Sequence, residues 1–297
     1  MKIGKIAKIY LLLICLGVFA VQTFAQDTPN FEDYLKQRLA SSKRANQTTS
    51  KGIELSSICD VDNDSVAKRV FADYGAMFVA ALVNPGVKFP SKCIFDSKEA
   101  EYYQSTASPT TVTVGRVQIT LQKPAMEALL EAIKEAQQRN LSITPRGGSE
   151  AASRSYADTE RLWNSRFLPA LNYYVRRGDI RREDADVVKK MQMSDQVAQV
   201  LEWEKKRLWF STDRTKSILY SVAAPGTSQH IFMLALDVAE FSNKAVREIL
   251  AKHGWFQTVQ SDLPHFTYLG GAKREDLNSY GLVRKVVSGQ EFWIPNL

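Results

Sequence analysis

The spacing of apolar residues along this chain of 297 residues predicts several amphipathic helices. Apolar residues recur at the interval of one helix face in residues 31–40, 65–83 and 243–254. Most of residues 158–208 shows the same pattern. Pro124 is well placed to open a further helix, because proline is favoured in the first helical turn. The apolar stripe expected on that helix consists of Met126, Leu129, Leu130 and Ile133.

Shorter segments show the features of strands and complete the predicted fold class. Residues 111–122 alternate between apolar and polar side chains, with the period of two that is typical of a half-buried strand. Residues 141–146 and 265–271 are predicted as two further short strands. Strands and helices do not alternate regularly along the sequence, so we expect an α+β protein and not a doubly wound sheet.

The first 25 residues have the features of an export signal. A positively charged end and the apolar run 9–21 precede Ala25, which supplies the small residue before a cleavage point. The run is short for a transmembrane helix, although an uncleaved membrane anchor stays an alternative. Cleavage as a lipoprotein before Cys15 is disfavoured because Ile14 is too bulky for that site. We therefore expect an extracytoplasmic protein, periplasmic or secreted, without a stable membrane span once the leader is removed.

Net charge and length limit the classes of partner and the number of domains. Removal of the leader lowers the formal charge from +7 to +4, because 36 Lys and Arg then stand against 32 Asp and Glu. This mild excess suits the neighbourhood of anionic cell-wall polymers, whereas nucleic-acid binding usually requires a concentrated basic face. The 272 residues that remain can bury one sizeable core, or one core and a smaller annex.

Cys59 and Cys93 are the only cysteines after the predicted leader. In an exported protein an even pair most simply forms one disulfide, and we expect that bond here. The loop over residues 84–93 would bring the second cysteine back toward the first. Two free buried thiols are the alternative.

The candidate chemistry centres on the histidines, of which the chain has three. His230 and Asp237 bracket an apolar run, and zinc hydrolases commonly bind their metal with three His or carboxylate ligands. A straight strand of seven residues would separate the two Cα atoms by roughly 23 Å and place the side chains on opposite faces. Because ligands of one zinc ion lie close together, we expect a bend, with His230 in a loop and Asp237 in a strand.

A second segment, residues 261–270, contains His265 three positions after Asp262. Its apolar and aromatic surroundings would exclude water from a site. A catalytic zinc site also requires a nearby carboxylate that does not bind the metal and that transfers protons. Asp262 is the candidate for this general base.

Together these residues resemble the signature of the LAS metallopeptidases, a group that contains lysostaphin-type, D-Ala-D-Ala-type and hedgehog-like zinc proteins. The first part, S-x-H-x-x-G-x-A-x-D, is matched by Ser228, His230 and Asp237, and the second, D/E-x-x-H, by Asp262 and His265. The pattern looks like the branch of VanY-like D-alanyl-D-alanine carboxypeptidases and related L-alanyl-D-glutamate peptidases. It implies one Zn²⁺ per chain, held by His230, Asp237 and His265, with Asp262 as general base.

The resemblance also implies a fold and a division of the chain. It implies a small antiparallel sheet flanked by helices, of the LAS and hedgehog type, over residues 124–297, together with a helical insertion. Residues 26–123 would then form a tether and a helical N-terminal annex, and residues 1–25 the signal peptide.

Two arginines and a serine are candidates for contact with a substrate. Residues 153–159 resemble the family's R-S-x-x-x-Q segment, which implies that Arg154 stabilises the substrate carbonyl as negative charge develops on its oxygen. Arg146 is the rival of Arg154 for this role. Ser228 is expected to form a hydrogen bond or touch the substrate, and not to act as a nucleophile.

Three positions depart from the family pattern. Met233 stands where the family has glycine, and Thr159 stands where it has glutamine. Both departures are compatible with a divergent or inactive member. Asp262 is one methylene shorter than the glutamate of the D-Ala-D-Ala enzymes, which bears on the choice of substrate.

The sequence therefore predicts an exported zinc peptidase that acts on peptidoglycan stem peptides, with D-alanyl-D-alanine carboxypeptidase as the favoured activity. An L-alanyl-D-glutamate or cross-link endopeptidase is the close alternative, and an inactive protein that binds cell-wall peptides is an alternative of another class. A serine peptidase is disfavoured: Ser65 and Lys68 match S-x-x-K, but its S-D-N and K-T-G companions are absent from the sequence. Peptidoglycan peptides are the expected partners, and nucleic acid is not.

Overall fold

The computed structural model describes residues 28–41 and 54–297 of the chain. The predicted signal peptide, residues 1–25, lies outside the described residues, and so does the part of the predicted tether over residues 42–53. Within the two described ranges, no helix combines the length and the apolar character that crossing a membrane requires.

Helices make up most of the regular structure, and the strands are short. The helices are α1 (Phe31–Ser41), α2 (Ser65–Tyr74), α3 (Phe78–Val83), α4 (Ser97–Thr106), α5 (Lys123–Gln138), α6 (Tyr156–Arg177), α7 (Arg182–Val188), α8 (Met193–Lys205) and α9 (Lys244–Lys252). The strands are β1 (Pro109–Val114), β2 (Val117–Gln122), β3 (Ala235–Asp237), β4 (Trp255–Phe256), β5 (His265–Tyr268), β6 (Leu282–Val287) and β7 (Gln290–Pro295).

The strands of the described residues form small antiparallel sheets. β1 and β2 form a hairpin, as do β6 and β7, while β3, β5 and β4 form a three-stranded sheet in that order. Every residue of β3, β4 and β5 is buried, so this sheet lies inside the molecule. Helices combined with small antiparallel sheets confirm the predicted α+β class.

The helices predicted from apolar spacing are confirmed with two changes. The predicted helix over residues 65–83 is divided, because Gly75–Met77 forms a turn of 3-10 helix between α2 and α3. On α5 the prediction for Leu130 is wrong, since this side chain is 38% exposed. Met126 and Leu129 are buried as predicted, together with three alanines, Ala125, Ala132 and Ala136.

Two strand predictions are wrong and one is confirmed. Residues 111–122 form the β1–β2 hairpin and not one strand, because Gly115 takes a φ of +63° at the turn. Residues 141–146 belong to no strand, and Pro145 makes only an isolated bridge to Val238. The strand predicted at residues 265–271 is confirmed as β5.

The structure contains a disulfide between Cys59 and Cys93, with Cα atoms 5.3 Å apart, as the sequence analysis expected. The side chains of both cysteines are buried. The backbone joins the same two segments, because the amide of Cys93 donates a hydrogen bond to the carbonyl of Ile58 at 2.9 Å.

The residues of the predicted N-terminal annex pack directly on those of the predicted core. Phe95 and Phe232 have ring centroids 5.0 Å apart, and both belong to one hydrophobic cluster that extends through the described chain. A close backbone contact involves Gly270, where a Cβ atom would lie 2.3 Å from the carbonyl oxygen of Ala80. The two regions therefore share one core.

Candidate metal centre

Two short strands bring Asp237 and His265 together. In the antiparallel register of β3 and β5 these residues lie directly opposite each other, and cross-strand partners have adjacent side chains. His230 lies in a turn before β3, so the chain bends between His230 and Asp237. The predicted placement of His230 in a loop and Asp237 in a strand is thus confirmed.

The side chains of His230, Asp237 and His265 converge in the protein interior. Nε2 of His230 lies 3.1 Å from Nδ1 of His265. Oδ1 of Asp237 lies 3.4 Å from the first nitrogen and 3.3 Å from the second. The three residues are only 1%, 9% and 4% exposed, and each offers one possible ligand atom to a common centre.

Hydrogen bonds on the outer side of each ring fix where its proton lies. Nδ1 of His230 is 3.1 Å from the carbonyl oxygen of Ala152, which can only accept, so this nitrogen carries the proton. Nε2 of His265 is 2.8 Å from Oε1 of Gln229. The amide nitrogen of Gln229 donates to the carbonyl of Tyr74 at 2.8 Å, which leaves Oε1 to accept from His265.

With both rings neutral, the inner face of the centre consists of acceptors without a donor. The two inner ring nitrogens carry lone pairs, and the buried Oδ1 of Asp237 accepts no hydrogen bond from the described part of the chain. Buried acceptors are normally paired, so this arrangement could hold a cation among the three atoms. Neutral imidazoles with hydrogen-bonded outer nitrogens, together with a carboxylate, fit a zinc ion.

The protonation states at neutral pH agree with metal binding. Burial lowers the pKa of His230 to about 4, and the charge of Asp237 only partly offsets this effect. His230 is therefore neutral at pH 7, as a metal ligand must be. Burial acts to raise the pKa of Asp237, yet this pKa lies below its usual range. The carboxyl group is therefore ionised.

Asp262 lies in the turn that leads into β5. Its carbonyl accepts a hydrogen bond from the amide of His265 at 3.2 Å, and its side chain lines the same cleft as His230. Burial raises the pKa of the Asp262 carboxyl, and the charge of Asp237 adds to the rise while His265 opposes it. A carboxylate with a raised pKa is a stronger proton acceptor at neutral pH.

Arg154 contacts the centre through Asp237. Its Nη2 donates to Oδ2 of Asp237 at 2.7 Å, and its Nε donates to the carbonyl of Glu150 at 3.0 Å. The backbone amide of Arg154 donates to the carbonyl of His230 at 3.3 Å. Because Oδ2 is engaged by Arg154, Oδ1 is the oxygen that faces the two histidines.

The other two predicted substrate-binding residues lie in different places. Ser228 is buried and lines the cleft. Arg146 is exposed, and its guanidinium stacks on Phe241 with Cζ 5.3 Å from the ring centroid, so its side chain does not line the cleft. The amide of Arg146 instead donates to the carbonyl of Asp237 at 2.8 Å, which connects this segment to β3 through the backbone.

Two of the three positions that depart from the family pattern, Met233 and Thr159, are buried. Met233 has a φ of +54°, in the left-handed region that a glycine would adopt without strain. Thr159 does not line the cleft; its hydroxyl donates to the carbonyl of Tyr156 at 2.6 Å and lies 3.4 Å from the amide of Gly226. Thr159 therefore contacts the loop that leads to His230.

A cleft of about 280 Å³ opens beside the centre. Arg166 of α6 lines it, and the Nε atom of this arginine is buried without a hydrogen-bond partner among the described residues. Arg166 and Gln229 are functional candidates that the sequence analysis did not identify. Gln229 could have been suspected only from its position between the motif residues Ser228 and His230. Nothing in the sequence marks Arg166.

Comparisons with known proteins give little further information. No family model matches the chain. No curated protein matches it. Among solved structures it is similar to the LdcB LD-carboxypeptidase, whose structure reveals the molecular basis of peptidoglycan recognition; the two are 16% identical with a TM-score of 0.31, over 54% of this chain and 64% of that chain. The chain thus spans less than two thirds of that structure, and a similarity of this degree decides neither fold nor activity.

Proposed function

We propose that this protein is an exported, extracytoplasmic zinc peptidase of the LAS type that acts on peptidoglycan stem peptides. The observation that carries the proposal is the convergence of His230, Asp237 and His265, with outer ring nitrogens bonded to acceptors and a buried Oδ1 that has no hydrogen-bond partner in the described part of the chain. The sequence motifs around these residues supply the substrate class. D-alanyl-D-alanine carboxypeptidase is the favoured activity, and endopeptidase action on the stem or cross-link is the alternative.

Each residue of the centre has a role in this proposal. Nε2 of His230, Oδ1 of Asp237 and Nδ1 of His265 would hold the ion, which when bound supplies Lewis acidity toward the scissile carbonyl. The carboxylate of Asp262 accepts a proton from the attacking water and returns it to the leaving amine. The raised pKa of Asp262 supports this assignment.

Two arginines would bind the negatively charged parts of the reacting substrate. The bonds of Arg154 to Asp237 and Glu150 use two of its five N–H donors, so others are left for the substrate carbonyl oxygen as it becomes negative. The guanidinium of Arg166, which lines the cleft, is suited to a substrate carboxylate, because a guanidinium binds this group with paired hydrogen bonds.

Mass spectrometry of purified muropeptides incubated with residues 26–297 tests the proposal. Loss of one terminal alanine, abolished by a zinc chelator and restored by added zinc, is the expected result. Chelator-sensitive cleavage inside the stem or at a cross-link would retain the metal chemistry and change the substrate bond. The absence of any mass change from a sample with stoichiometric zinc would favour the inactive peptide-binding protein instead.

Asp262→Asn provides the matched variant, because the amide has nearly the same shape and cannot accept the proton. It is expected to bind zinc as the wild type does and to lose turnover. Retained turnover in this variant would show that another group is the base.

A further inference from the structure

The turn that carries His230, residues 229–233, is fully buried and bends without a glycine. No residue in it is more than 2% exposed, so water cannot bind its carbonyl groups. Met233 has a φ of +54°, a conformation that residues other than glycine seldom adopt. The surrounding structure must therefore hold the turn in this shape.

The carbonyl groups of the turn show which residues hold it. The carbonyls of His230 and Gln229 accept hydrogen bonds from the nearby amides of Met233 and Leu234, respectively. The remaining three carbonyls, of residues 231–233, accept from two glutamines of the N-terminal half of the chain. Nε2 of Gln104 donates to Ile231 at 3.0 Å and Nε2 of Gln122 donates to Phe232 at 2.8 Å, while the amide of Gln122 donates to Met233 at 3.1 Å.

Other contacts fix the orientation of both glutamines. Oε1 of Gln122 accepts a hydrogen bond from the amide of Lys88 at 2.8 Å, so Nε2 is the atom that points to the turn. The same Nε2 donates to the hydroxyl of Tyr103 at 2.8 Å. Nε2 of Gln104 also donates to the carbonyl of Arg154 at 2.8 Å, which joins this arginine to the same arrangement.

We propose that Gln104 and Gln122 are positioning residues of the metal centre. They clamp the carbonyls of residues 231–233 and thereby hold His230 in place in a turn whose φ at Met233 would otherwise relax. This inference rests on the proposed zinc site and not on the proposed substrate or reaction. The segment that contains α4 and β2, which carry Gln104 and Gln122, would thus help to hold the metal centre in place.

Zinc affinity, measured by competition with a chromophoric chelator, tests the clamp. Gln122→Met retains the approximate volume of the side chain and removes its donors. We expect the affinity to fall by about 10- to 100-fold, the usual effect of losing a group that orients a metal ligand. Unchanged affinity in a folded variant would overturn the proposal.

Gln196→Met is the matched control. Gln196 is also buried, donates to the carbonyl of Val188 at 3.0 Å and accepts from the indole of Trp163 at 2.8 Å. It lies in α8, and no residue of this helix lines the cleft beside the metal centre. This variant is expected to unfold at a lower temperature without a change in zinc affinity.

A second substitution separates the clamp from a general loosening of the fold. Glycine adopts a positive φ without strain, so in the Met233→Gly background the turn no longer needs to be held. There, Gln122→Met is expected to reduce zinc affinity by less than about threefold, because the two substitutions are coupled. Equal losses in the two backgrounds would contradict the clamp.

Two further measurements ensure a result in every case. If Gln122→Met does not fold, Gln104→Met removes the other half of the clamp from a half-buried position and has the same two expected outcomes.

If the wild type binds no zinc, the proposed function fails, and the clamp is then tested on the metal-free protein. There, Gln122→Met should shift the unfolding midpoint less in the Met233→Gly background than in the wild type; equal shifts would contradict it.

Discussion

The two histidines of the candidate metal centre are held by different means. His265 lies in β5, where regular pairing with β3 fixes its backbone opposite Asp237. His230 lies in a turn whose carbonyls are bound by Gln104 and Gln122, two side chains more than a hundred positions earlier in the chain. One ligand thus depends on a short local sheet, whereas the other depends on long-range side-chain contacts.

The largest expected effect comes from removing residues 1–122, which would eliminate the hydrogen bonds of Gln104 and Gln122 to the His230 turn. The deletion also removes buried aromatic residues such as Phe95, and each is worth about 3–5 kcal/mol in a packed core. Several such losses exceed the stability of an ordinary domain, roughly 5–15 kcal/mol. We expect the remaining fragment to show no cooperative transition by circular dichroism during heating.

A fragment that folds and binds zinc would contradict this expectation. It would show that the predicted annex over residues 26–123 is separable, and that both histidines can be held by the core alone.

Gln229 offers a test on the His265 side. Gln229→Leu removes the acceptor for Nε2 of His265 and the bond to the Tyr74 carbonyl, so zinc affinity should fall by about 10- to 100-fold. Gln229→Glu retains an acceptor for His265 but cannot donate to Tyr74. It should therefore keep the affinity of the wild type and unfold at a lower temperature. A loss of affinity with Gln229→Glu equal to that with Gln229→Leu would show that the bond to Tyr74, and not the acceptor, matters.

The part of the site that the sequence predicts is the part built from local patterns. His230, Asp237 and His265 follow from short motifs and from the requirement of a bend between the first two. Gln104 and Gln122 could not be found in this way, because their bonds to the turn span 127 and 110 positions of sequence. A glutamine carries no periodic signal, and only the folded chain brings it to its carbonyl.

The fold likewise divides into features that local sequence patterns predict and features that they miss. Apolar spacing located α5 and two of its buried residues, Met126 and Leu129, but it included the exposed Leu130 and missed the three buried alanines. Alternation located the strands of residues 111–122 but missed their turn, because the pattern continues across Gly115 with only a change in φ at that residue.

The dependence of activity on pH tests the electrostatics of the β5 side. Asp262 must be ionised to accept a proton, so kcat/KM should fall about tenfold per pH unit below its pKa. Because burial raises that pKa, the acid limb should lie at a higher pH than for an exposed aspartate. The charge of Arg146 lowers the same pKa, so Arg146→Ala should move the limb further upward. If the acid limb of the pH profile is the same in Arg146→Ala as in the wild type, Asp262 is not the titrating group.

The smallest expected effect concerns the strain on the His230 side. Met233→Ala and Met233→Gly remove the same buried contacts, but only glycine adopts the φ of +54° freely. We expect the Met233→Gly protein to be more stable than the Met233→Ala protein by about 1 kcal/mol, measured by urea denaturation of the metal-free chain.

The same pair of substitutions at Met126 gives the opposite prediction. Met126 is buried in the interior of α5, where glycine is less favourable than alanine by about 1 kcal/mol. A reversal of sign between the two positions would show that the turn stores strain while the helix does not. The same sign at both positions would mean that the turn has relaxed, and the contrast between the two histidines would then lie in their hydrogen bonds alone.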